Sequence, residues 1–204
     1  MTWKELQTIT LQKMFITAED DPLSSGLSDP FLPAMPAAAN EGLLLLSTAG
    51  RFILRCLQIP AEAAPEGDME CYDLKALCED FYAFDMSQIY LRCARGYRRA
   101  EGLSTEGESI LWLPHVKDAV WTVYYLAYPA PITGDTLPDT LLPLHPEAAV
   151  LLPLYMASQL YKDDDAGLAS LYRQEFEIGL DTLRRRALKL HPSDGQITGL
   201  TRWW

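Results

Sequence analysis

The chain has 204 residues, 49% of them hydrophobic, with 28 acidic against 17 basic side chains and a net charge of −11. That is enough apolar material for one domain with a sizeable core or for two small ones. Such an acidic surface repels free DNA, because phosphate affinity comes from neutralisation by Lys and Arg, and the apolar run at 42–46 is far too short to span a bilayer.

In chain order, residues 2–15 predict a helix. Thr2 at its cap and Glu5 three residues on form a capping box, and Trp3, Leu6, Ile9 and Met14 can face a core. Residues 17–36 are rich in Ser, Asp, Pro and Gly and read as a surface loop in which Phe31, Leu32 and Met35 can still pack. A second long helix is expected over 37–59, with Leu43, Leu46, Gly50, Ile53 or Leu54, and Leu57 on its buried side. Gly42 and Gly50 weaken it by about 1 kcal/mol each relative to alanine, so they are read as points where a neighbouring helix comes close.

Residues 61–68 mark a linker and a change of composition. Beyond it, 81–84, 89–93, 110–113 and 119–127 are short aromatic or β-branched runs between polar turns, the pattern of strands. In the last of these, Trp121, Val123, Tyr125 and Ala127 alternate with Thr122, Tyr124 and Leu126, so both faces are apolar. Such a strand is either buried on both sides or packed on one side and in contact with a neighbouring subunit on the other. A Pro-rich passage over 129–143 follows.

Residues 145–188 predict a helical hairpin. Pro146 suits the first turn, and Val150, Leu154, Ala157 and Tyr161 fall on one face. Pro153 should kink this helix. Asp165, at the end of an Asp163–Asp164–Asp165 run, is a good cap for a second helix with a stripe of Leu168, Tyr172, Phe176, Gly179, Leu183 and Ala187. The short turn requires the two helices to pack antiparallel. Arg184, Arg185 and Arg186, read as the chain's dense basic run, complement the helix dipole as a solvated end.

Four separated stretches carry a family resemblance: TWKELQTITLQKMF, PAAANEGLLLLSTAGRFI, VWTVYYLAYPAPIT and LPLYMASQLYKDDDAGLASLYRQEFEIGL. They resemble a tailed-bacteriophage virion family encoded among head and neck genes, and the match touches roughly half the chain. The resemblance implies a head–tail connector or adaptor, with a smaller central region than in larger members. It implies no enzymatic motif. The partners it implies are copies of the chain in a ring, portal and tail or neck proteins, and DNA that passes through without sequence-specific binding. The expected location is the virion, made and assembled in a bacterial host cytoplasm, away from membranes.

A search for chemistry adds little. Cys56, Cys71, Cys78 and Cys93 have no CxxC spacing, and His115, His145 and His191 are isolated from them, so free buried thiols are expected rather than zinc. The Asp163–Asp165 run lacks the spaced ligands and turn glycine of a calcium loop. Glu175 and Glu177, two apart on a helix, point to different faces. No G-x-S-x-G or phosphate-binding glycine loop occurs, and His115 is read as a solvated or capping turn residue. No catalytic residue, metal or cofactor is therefore expected, and the chain is read as a non-enzyme.

Aromatic residues crowd the β region at Trp112, Trp121, Tyr124, Tyr125 and Tyr128, where core and subunit contact is preferred over a sugar-stacking face. Trp203 and Trp204 end a tail over 191–204 expected to lie against a neighbouring subunit or the chain's own helices. The residues expected at partner interfaces are thus Tyr124, Tyr125, Arg184, Arg185, Trp203 and Trp204. The expected fold is α+β: a four-helix bundle over 1–60 and 144–190, with a small antiparallel β insertion over 70–132. The expected function is a structural ring joining portal to tail; the alternatives are another tail, baseplate or capsid-surface component, or a carbohydrate-binding module.

Overall fold

The computed structural model describes residues 1–15, 23, 28–49, 53–60, 69–93, 96–99, 103–116 and 119–190. The chain divides into two compact units, Met1–Arg51 with Pro131–Trp204, and Phe52–Ala130.

In the first unit, α1 (Trp3–Phe15) starts with the expected capping box: Glu5 N–H donates to Thr2 Oγ1 at 3.2 Å, and Thr2 N–H to Glu5 Oε2 at 2.8 Å. The next two donors of its first turn reach the Pro-rich passage, Trp3 N–H to Thr140 O and Lys4 N–H to Pro138 O, both at 2.9 Å. At its other end, Tyr172 Oη donates to Lys13 O at 2.6 Å and the Tyr161 hydroxyl to Met14 O. Residues far along the chain thereby satisfy groups that a helix leaves open at both ends.

After a 3-10 turn (Leu32–Ala34), α2 (Met35–Thr48) buries Ala38, Ala39, Gly42, Leu43 and Leu46. Asn40 clamps the passage from the β unit, donating to Ile132 O at 2.8 Å and accepting from Ile132 N–H at 2.7 Å. Two short helices, α4 (Pro146–Ala149) and α5 (Leu152–Leu160), replace the single kinked helix expected there. The break falls at Val150 and Leu151, so Pro153 sits in a first turn, where its missing donor costs nothing. Val150 consequently leaves the apolar face and is exposed. Asp165 caps α6 (Ala166–Leu190), its Oδ1 accepting from Gly167 N–H at 2.9 Å and Leu168 N–H at 3.0 Å.

The second unit holds two antiparallel sheets, one in the order β1 (Ile53–Pro60), β7 (Val120–Ala127), β3 (Phe81–Cys93), β4 (Gly96–Arg99), the other β2 (Met69–Asp73), β6 (Ile110–Pro114), β5 (Ser104–Glu106). A single turn, α3 (Leu74–Leu77), follows β2. Trp121, Val123, Tyr125 and Ala127 from one sheet and Leu111 and Leu113 from the other share one core with Ile59, Leu74, Phe81 and Ile89.

These observations correct the expected fold class. The protein is α+β, with helices and with two antiparallel sheets that enclose a β-rich core of their own, not a four-helix bundle carrying a small insertion. Two physical reasons stand out. The helix expected over 37–59 stops at Thr48, and its second half pairs as β1 along the whole of β7, from Ile53↔Ala127 to Pro60↔Val120. Within the helical unit, every residue from Leu152 to Ser158 is buried, and α5 packs against α1, α2 and α6. A helix apolar on all sides is a core element surrounded by others, not one wall of a bundle.

Candidate functional site

Pleating fixes what the four-stranded sheet shows to either side. Trp121, Val123 and Tyr125 face the core, so Thr122, Tyr124 and Leu126 face outward, with Leu54 and Cys56 of β1 beside them. Across β7, Tyr90 pairs with Thr122 and Arg92 with Val120; across β3, Arg99 pairs with Tyr90 and Tyr97 with Arg92. The outward face therefore carries three tyrosines, two arginines and two leucines on four adjacent strands. Tyr90 and Tyr124 meet edge to face at 6.2 Å between ring centres, and the Arg92 guanidinium lies 6.0 Å from the Tyr97 ring centre. Thr122, only 5% exposed, has a hydroxyl with no hydrogen-bond partner among the described residues.

Of the sequence-predicted interface residues, Tyr124 and Tyr125 belong to the sheet-bearing unit and Arg184 and Arg185 to the helical unit. Tyr124 stands half-buried on the outward face. Tyr125, its neighbour in the strand, is 5% exposed in the core, so the two rings form no common platform. The Tyr125 hydroxyl donates to Asp80 Oδ1 at 2.9 Å, and Asp80 Oδ2 faces Arg55 Nε at 2.9 Å, a link between β7, β1 and the turn before β3. Burial, with Cys78 and Asp80 nearby, raises the Tyr125 hydroxyl far above the usual phenol range. Arg184 and Arg185 are exposed on α6, where Arg185 Nη2 pairs with Asp181 Oδ2 at 2.6 Å one turn back. Trp203 and Trp204, and the tail placement expected for them, lie outside the described residues.

Other groups differ from expectation. His115 is not solvated: its side chain is 7% exposed, with Nε2 3.2 Å from Glu70 Oε2, an oxygen that also accepts from Tyr72 Oη at 2.6 Å. Cys56 and Cys71 are exposed rather than buried. Among the described residues no group of three or more His, Cys, Asp and Glu side chains could hold a metal ion, and no helix is long and apolar enough to cross a membrane.

Further arginines, which no sequence motif singles out, cluster at the β3–β4 hairpin. Arg92, Arg95, Arg98 and Arg99 fall within eight residues. Arg92, Arg98 and Arg99 are exposed, and none pairs with a carboxylate among the described residues. In the helical unit, a cleft of about 380 Å³ opens between α2 and the end of α5, with an apolar floor including Phe31, Ala38 and Leu160, and with Glu41, Asp163 and Asp164 around it. Glu41 Oε2 accepts from Tyr155 Oη at 2.9 Å.

No family model and no curated protein matches this chain. The outward face of the four-stranded sheet offers one exposed tyrosine ring, Tyr97, and two half-buried ones, Tyr90 and Tyr124, beside the exposed guanidinium groups of Arg92 and Arg99.

Proposed function

We propose that this chain is a structural subunit of a tailed-bacteriophage particle, a head–tail connector or adaptor whose copies join a portal to a tail. One observation carries the reading. The four resembling stretches run through α1, α2, β7 and the α5–α6 pair, which contribute buried residues to the cores of the two units. Support also comes from the outward face of the four-stranded sheet, since Tyr and Arg are the residues that protein interfaces favour and that dominate their energetics.

In this reading, copies adhere by burying complementary surfaces, at the cost of ordering the side chains that meet. Contacts between unlike patches close into a ring when the rotation between neighbours divides a full turn. DNA passes through without sequence-specific contact, and the acidic balance of the chain makes the passage non-adhesive. Mass photometry and negative-stain imaging of the purified full chain test this. A closed ring with a central hole is expected; a chain that stays monomeric at every concentration overturns the reading.

A further inference from the structure

We propose that the β3–β4 arginine hairpin of one copy docks into the acidic cleft beside α2 and α5 of a second copy, making a head-to-tail contact. The inference rests on the assembly reading above and names the two surfaces that carry it.

The hairpin is built to meet a partner. β4 is an edge strand whose four residues are all exposed, and Tyr97 is 63% exposed. By pleating, Arg92 and Arg99 share one face of the hairpin and Arg98 lies on the other, and among the described residues no carboxylate neutralises any of the three. An incoming acidic surface does so, while Tyr97 supplies apolar area beside the charge.

The cleft offers the complement. An aromatic and aliphatic floor with carboxylates around it suits a guanidinium, which is weakly hydrated, stacks on rings and bonds carboxylates in a planar fork. Phe31 is fixed there by edge-on contacts to Phe15, at 5.5 Å, and to Tyr161, at 6.5 Å. Asp163 and Asp164 are exposed and pair with no cation among the described residues. Asp165, by contrast, is occupied as the cap of α6. Hairpin and cleft are different patches of opposite charge, so the contact is heterologous and repeats from copy to copy. A nucleic acid would satisfy the arginines alone, leave the cleft without an occupant, and meet a chain of net charge −11. The second copy is therefore the better fit.

Charge reversal tests it, using sedimentation velocity on the full chain at low and high salt, with far-UV circular dichroism to verify folding. Wild type associates, more weakly as salt rises. Each of R98E/R99E and D163R/D164R alone weakens association by about tenfold or more. An equimolar mixture of the two restores it, because each reversed hairpin then meets a reversed cleft and each native hairpin a native cleft. Wild type that associates while both variants do so equally well overturns this contact and leaves the assembly reading standing. Wild type that never associates overturns both. Variants that lose association without recovery on mixing overturn the pairing of these two surfaces. A single-stranded oligonucleotide bound by wild type and by D163R/D164R, but not by R98E/R99E, assigns the hairpin to nucleic acid and likewise overturns the proposal.

Discussion

Gly42 is where α2 comes closest to α5, and substituting it tests how the helical unit is packed. A Cβ built on Gly42 falls well inside van der Waals contact with Leu152 Cδ1 and 3.0 Å from Tyr155 Cδ1. Leu152 is fully buried and Tyr155 is held by Glu41, so neither side chain has open space to retreat into. Forcing a methyl group into such a core costs about 1–3 kcal/mol. Alanine in place of a mid-helix glycine returns about 1 kcal/mol through helix propensity. G42A is therefore expected to destabilise the helical unit by about 0–2 kcal/mol, and G42V by more, since valine adds bulk without alanine's helix preference. Urea unfolding followed by the helical circular dichroism signal measures this. L152A alone should cost about 2–5 kcal/mol by leaving a cavity. The double variant should cost less than the sum, because the new methyl group enters the space that Leu152 vacates. A stabilised G42A, or strictly additive effects with L152A, would refute the close approach of α2 and α5.

Other expectations follow from single contacts. Phe176 is fully buried, 5.0 Å edge-on from Tyr155, and F176A should lose about 3–5 kcal/mol in the same assay. T2A should cost about 0.5–2 kcal/mol and speed amide exchange in the first turn of α1, since it removes half of the capping box. Asp73 accepts a hydrogen bond from Ser109 and from the Lys75 N–H, at 3.0 Å, and these hold its carboxyl below the usual aspartate range. Its contribution to the α3 cap is thus present above the unfolded-state value and lost as pH falls through the lower folded-state value. A carboxyl NMR titration of Asp73 should show this midpoint, and S109A should move it upward; an Asp73 midpoint unchanged by S109A contradicts the assignment.

Local chemistry was the most legible part of the sequence. The capping box of α1, the Asp165 cap and the close approach at Gly42 each follow from one residue type in one local setting, and the structure contains all three. Element type was lost where an apolar run fits two periods. Ile53, Leu54 and Leu57 satisfy a helical stripe, but Ile53, Leu57 and Ile59 equally satisfy alternation, and pairing along β7 decides for the strand. β2 was missed because its apolar signal is slight: Met69 and Cys71 are exposed, and its place is set by pairing with β6. The same ambiguity hid which tyrosine of the 124–125 pair faces outward, since a strand with two apolar faces does not declare its core side. The arginine hairpin was visible as spacing. Its significance depends on β4 being an edge strand, which composition alone does not reveal.

The helical unit is discontinuous in sequence, its first part ending at Arg51 and its second beginning at Pro131, whereas all of the sheet-bearing unit lies between. Synthesis from the amino terminus therefore completes the sheets while α1 and α2 still wait for α5, the segment they enclose. Until residues 152–160 leave the ribosome, Leu43, Leu46 and Leu6 have nothing to bury against there. The nascent protein thus passes through an interval with one finished half and one adhesive, unfinished half, during which early encounters between chains would join the wrong surfaces.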